Sequence, residues 1–338
     1  MNNQLPNLIL SGLFSLLMLP GISWAQGTDP CDGVTSFTAL EDLCIDAGLQ
    51  TLTSGLPVGG TYSGSGVIDN NDGTFSFDPE GAGAGIHSLT YETASGWTQL
   101  GADIDGEAGG DESGWSVSFS SDGSRLAIGA TRNAGNGFFD GHVRVYEWSG
   151  SAWAQLGADI DGEAIADRSG ESVSLSSDGS RLAIGAIEND GNGPSSGHVR
   201  VYEWSGSAWT QLGADIDGEA AGDRSGWSVS FSSDGSRLAI GAAGNDGNGS
   251  LSGHVRVYEW SGSAWAQLGQ DIDGEAGGDQ SGYSVSLSSD GSRLAIGAIE
   301  NDGNGFRSGH VRVYEWSGSA WTQLGADIDG EAAGDQSG

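Results

Sequence analysis

The nine residues DIDGEAGGD carry four carboxylates, Asp103, Asp105, Glu107 and Asp111, on a glycine-rich stretch. The pattern returns as Asp159, Asp161, Glu163 and Asp167, then as Asp215, Asp217, Glu219 and Asp223. It recurs as Asp271, Asp273, Glu275 and Asp279, and once more from Asp327. Four carboxylates on so short a loop suit Ca2+, which takes about six to eight oxygens in flexible geometry. The spacing is not that of an EF-hand, and the same loop also reads as an acidic, solvated connection. NDGNG at Asn189, Asn245 and Asn301 could add oxygens, but it reads first as a turn. His142, His198, His254 and His310 occur once per repeat. Zinc ligands must lie close together, and equivalent positions of different units meet only near a common axis. These histidines therefore read as packed and hydrogen-bonded. Serine and aspartate abound as turn residues, and no Ser-His-Asp set or carboxylate pair stands out from the repeat background. No catalytic residue is assigned, and the chain reads as non-enzymatic.

All these residues sit in a repeat of fixed period. SVSFSSDGSRLAIGA begins at Ser116, and near-copies begin at Ser172, Ser228 and Ser284, each 56 residues after the last. Such a period marks a solenoid, a propeller or an array. Within a unit, Ser116–Ala130 reads as a β-hairpin turning at Asp122-Gly123. His142–Trp148 reads as a third strand and Trp153–Ile160 as a fourth. In HVRVYEW, Val143 and Val145 point one way while Tyr146 and Trp148 point the other. Both faces carry packing groups, as expected of a sheet stacked between two others. The expected fold is all-β. About four four-stranded propeller blades, with units starting near 115, 171, 227 and 283, form an incomplete ring. A small N-terminal β-sandwich-like module precedes them.

Two repeat families share these motifs. The SFSSDGSRLAIGA…VRVYEW order is similar to tryptophan–aspartate repeats, but a period of 56 exceeds their usual length of about 40–45. The unit GDRSGWSVSFSSDGSRLAIGA (Gly222–Ala242) followed by GHVRVYEW (Gly253–Trp260) resembles the FG-GAP repeat of extracellular propellers. Gly226, Ser228 and Val229 fit its G-x-S-V core, Gly241 and Ala242 its G-A, and Val255, Val257 and Tyr258 its last strand. The resemblance covers residues 97–338 and implies an extracellular propeller. The calcium loop that related units often place inside the hairpin is here reduced to SSDG, so that site does not carry over.

Leu8–Leu19 is a short apolar core ahead of Ser23-Trp24-Ala25, so residues 1–25 read as an export signal cleaved after Ala25. Residues 26–93 resemble a small immunoglobulin-like module of bacterial surface proteins, with 94–96 as linker. Cys31 and Cys44 are the only cysteines; export would oxidise them to a disulfide, unless they stay as two thiols. All 12 cationic side chains are Arg against 46 acidic residues, and the net charge of -34 argues against nucleic-acid and anionic-membrane partners. The repeats differ chiefly in one loop, at Phe138, Phe139 and Asp140, at Pro194, at Leu251, and at Phe306 and Arg307. Equivalent loops of stacked units share a face, where repeat proteins bind. The expected function is an exported surface or adhesion protein that contacts extracellular glycan or protein. The alternative is a secreted polysaccharide-active enzyme with its site on that face.

Overall fold

Ser113–Phe119 pairs antiparallel with Arg125–Ala130, which pairs with His142–Trp148, which pairs with Trp153–Gln155. This is the expected four-stranded meander, here from a computed structural model that describes residues 14–16, 49–52, 61–70, 74–82, 87–92, 99–135 and 137–338. Three further blades follow with the same order, spanning Ser169–Asp217, Ser228–Asp273 and Ser281–Asp329. The turn at Asp122-Gly123 forms because the Asp122 carboxylate accepts from the Ser120 hydroxyl at 2.7 Å and from the Ser124 amide at 2.9 Å. These bonds hold its carboxyl down to about 2.

The fourth strand is not continuous. It runs Trp153–Gln155, breaks, and resumes as Ile160–Asp161, which pairs back onto His142 and Val143. The cause lies in the next blade. Gly157 has φ 87°, and a Cβ there would lie 2.9 Å from Trp204 and 3.1 Å from Trp209. The backbone bulges to bring the Leu156 carbonyl to the Trp209 indole, 2.9 Å away.

Successive sheets stack face to face. Val143, Val145 and Ile160 of the first blade pack with Val173, Leu175, Leu182, Ile184 and Tyr202 of the second. The same partition recurs at the next two interfaces. Valine thus faces the following blade and tyrosine the preceding one, as the alternation in HVRVYEW requires. Polar ties follow the same path: the Ser172 hydroxyl donates to the Gly226 carbonyl at 2.7 Å, and Arg181 donates to the Gly235 carbonyl at 2.9 Å. Among the described residues no sheet covers one face of the first blade, where Val117 is 61% and Phe119 55% exposed, whereas Phe231 is buried.

The chain divides into two compact units, Met1–Gln99 and Leu100–Gly338. The first holds two three-stranded antiparallel sheets. One comprises Gln50–Leu52, Phe75–Phe77 and Val67–Asp69; the other comprises Phe14–Leu16, His87–Glu92 and Thr61–Gly64. Within the expected export signal, Phe14–Leu16 is therefore a strand in the uncleaved chain. The rest of that segment, Cys31, Cys44, the linker 94–96 and Trp97 lie outside the described residues. Among the described residues no helix is long and apolar enough to cross a membrane.

Candidate functional site

The four carboxylates of one acidic loop do not converge. Asp167 is buried, and its Oδ2 accepts from the Ala164 amide at 2.9 Å and the Asn189 side chain at 3.1 Å. Asp111, Asp223, Asp279 and Asp335 make the same bond to the equivalent alanine amide. They hold their own loop closed. Asp161, Asp217 and Asp273 each turn a main-chain carbonyl to an arginine, Arg200, Arg256 or Arg312, at 2.6–2.7 Å. Asp105 does so for Arg144 at 2.7 Å. NDGNG is the turn its composition predicts, with Asn189 Oδ1 accepting from the Gly191 amide at 2.9 Å.

The remaining two carboxylates meet a histidine instead. Glu163 joins His198 and Asp215, with one ligand atom from each within 4.8 Å of the others. Glu219–His254–Asp271, Glu275–His310–Asp327 and Glu107–His142–Asp159 repeat the arrangement. Glu163 and Asp215 come from consecutive copies of the loop, so each cluster straddles two copies. Reading one loop at a time missed this; the histidines are buried as expected, and they meet carboxylates without a common axis. The cause is topological. The third strand starts at histidine beside the loop that enters its blade, and the break in the fourth strand delivers the aspartate to the same spot.

These imidazoles are almost fully buried. Burial first, and the Arg200 guanidinium second, push the His198 pKa down from its ordinary value; burial and Arg256 do the same to His254. Below pH about 6.5 the unfolded chain takes up protons that these two rings resist. Their contribution to stability is therefore whole above that pH and falls on acidification toward the folded pKa values. Denaturant unfolding at pH 7.5, 6.5 and 5.5 should show this fall, at up to about 1.4 kcal/mol per pH unit for each histidine. His198→Gln should flatten the slope.

A second cluster occupies the loops that differ between units. Phe306 is 70% and Phe138 66% exposed, and Leu251, Pro194 and Arg307 are exposed. Phe139 is half-buried. Asp140 must be corrected: it is wholly buried, and its carbonyl accepts from the amide of Ser169, which opens the next blade's first strand. That contact fastens each variable loop to the start of the next blade. The Arg168 amide donates to the Phe139 carbonyl at 3.2 Å and the Arg224 amide to the Ser195 carbonyl at 3.1 Å.

Those entering residues also vary between units, and they carry the rest of the cluster. Arg168 lies over the exposed Trp115 at 5.7 Å and 3.0 Å from Glu171. Arg224 lies over Trp227 at 6.0 Å, and Trp227 packs 5.2 Å from Tyr283 of the next blade. Arg132 covers Phe139 and Arg307 covers Phe306. Trp115, Trp227 and Tyr283 were legible in the sequence, since their column reads Trp, Glu, Trp, Tyr across the four units. Phe139, Leu251, Arg307, Arg168 and Arg224 hold φ between 54° and 59°, a left-handed conformation that costs non-glycine residues energy. Such strain clusters where loops bind.

Residues 272–314 match the FG-GAP repeat family. A search of curated proteins finds no match. Among solved structures, the periplasmic gluconolactonase of Pseudomonas aeruginosa is similar over 74% of this chain and 65% of its own, at 19% identity and a TM-score of 0.50. The hydrazine synthase of Kuenenia stuttgartiensis covers 62% of this chain and 53% of its own, at 14% identity and a TM-score of 0.40. The chain thus spans roughly half to two-thirds of the length of either. The fold likeness agrees with the stacked meanders: Leu100–Gly338 is an array of β-propeller blades, and residues 272–314 within it match an FG-GAP repeat.

Proposed function

We propose that this array of FG-GAP-type blades belongs to an exported, non-catalytic protein whose variable face binds an extracellular glycan. One observation carries the reading. The units are near-identical, and where they differ, the changed residues gather on one set of loops as exposed and half-buried aromatics beside arginines. Flat rings offer apolar area to a sugar's C–H face, and arginine offers directed hydrogen bonds to hydroxyls. The Trp227–Tyr283 pair bridges two blades, so the platform is longer than one unit provides. An extracellular setting fits the repeat type, and residues 1–25 would supply export. The N-terminal unit would serve as an accessory immunoglobulin-like module.

The full chain, screened against soluble polysaccharides by calorimetry and assayed for released sugars, should bind without turnover. Trp227→Ala with Tyr283→Ala should weaken binding at least about tenfold, the size expected of a central aromatic anchor. Unchanged circular dichroism would exclude misfolding. Product release would favour the polysaccharide-active enzyme, and unaltered affinity in the double variant would move the site elsewhere.

A further inference from the structure

We propose that the chain binds zinc-type transition-metal ions in its three regular acid–histidine clusters, Glu163–His198–Asp215, Glu219–His254–Asp271 and Glu275–His310–Asp327, each ion held by one imidazole nitrogen and two carboxylates. The three ligand atoms of a cluster already lie within 4.8 Å of one another. Ligands on a tetrahedral zinc lie about 2.0–2.2 Å from the metal, so a modest inward turn of the glutamate and aspartate closes the site around an ion. In each cluster the histidine Nδ1 faces the glutamate Oε2 at 3.9–4.0 Å.

The second observation is the histidine itself. His198, His254 and His310 are 1% exposed, and Nε2 of each has no hydrogen-bond partner. Nδ1 is therefore the nitrogen offered to an ion, and burial of the rest of the ring holds it turned toward the carboxylates. The same ring placement occurs in three successive units, so it is a property of the repeat.

The carboxylates are prepared for the same task. Arg200, Arg256 and Arg312 approach the far glutamate oxygen, Oε1, at 3.6–3.8 Å. The aspartate Oδ1 accepts from Gln211, Gln267 or Gln323 at 2.5–2.6 Å. Each carboxylate thus has one oxygen held by an outer partner and one left for the ion, the arrangement that orients ligands in metal sites. The nitrogen donor decides the metal class. Ca2+ prefers oxygens alone, whereas imidazole with carboxylate suits zinc and its neighbours. Three protein ligands leave one coordination position for water. Glu107–His142–Asp159 departs from the pattern: Asn133 donates to the Glu107 Oε2 at 3.4 Å, occupying the oxygen the ion needs.

None of these residues belongs to the variable face, so this inference and the glycan reading fail separately. The full chain, stripped with chelator and equilibrated with Zn2+, should retain about three ions by elemental analysis. Its melting temperature should rise with Zn2+ and less with Ca2+. Nitrogen-detected NMR should show His198, His254 and His310 imidazole resonances shifting together. Glu219→Gln should lower the count by about one without altering the circular dichroism. Should that variant not fold, the imidazole shifts in the unaltered chain decide. Fewer than one ion retained, or a full count with unshifted imidazoles, would overturn the proposal.

Discussion

Gly185→Ala should destabilise the propeller unit by about 3 kcal/mol or more, the upper range for overpacking. Gly185 lies on the second strand of its blade, and a Cβ there would sit 2.1 Å from the Gly226 carbonyl oxygen and 2.6 Å from the Ser172 hydroxyl. The hydroxyl could rotate. The carbonyl cannot, because it is main chain and already accepts from Ser172. Relief requires the two blades to separate near their inner strands, opening an interface that also carries Ala183, Val199 and Leu238. Gly129 and Gly241 make the same approach to Gly170 and Gly282, so the small residue is a condition of blade stacking. In a domain of this size a 3 kcal/mol loss lowers Tm by roughly 6–12 °C. Gly109→Ala is the control. Nothing lies within 4 Å of its added Cβ, and the equivalent positions hold Ile165 and Ala221. Equal stability of Gly185→Ala and the control would refute the close-approach account.

Leu238→Ala should cost about 2–5 kcal/mol, and Leu126→Ala, at the equivalent position of the first blade, less than half as much. Leu238 is fully buried between the second and third blades, whereas Leu126 is only half-buried, because among the described residues no preceding sheet covers its face. The comparison holds residue type and local sequence constant and varies only the neighbour. Urea unfolding of the two variants reads the difference. Equal losses would mean that stability resides within blades and not between them, contrary to nearest-neighbour behaviour in repeat arrays.

Much of the fold was legible because it is written in short-range pattern. The Asp-Gly turn, the alternation of HVRVYEW and the fixed 56-residue period specify a hairpin, a two-faced strand and a stack without reference to distant residues. The strand limits of His142–Trp148 follow from that alternation alone. The break in the fourth strand does not. Leu156 and Gly157 read locally as a plain continuation, and only Trp204 and Trp209 of the following blade make the bulge necessary.

The sites divide in the same way. By itself the sequence determined which residue types recur, which loops vary, and that aromatic side chains stand at several of the variable positions. It placed Phe138, Leu251, Phe306 and Arg307 on the exposed face correctly, since a loop tip needs no partner to be exposed. It could not separate the four carboxylates of DIDGEAGGD, which are equivalent as a string. The tertiary structure alone decided that Asp167 closes its own loop, that Asp140 is buried, and that Glu163 turns to His198 and Asp215. The physical reason is that the cluster's members are far apart along the chain. They meet through sheet pairing and blade-to-loop packing, and no local periodicity records such a meeting.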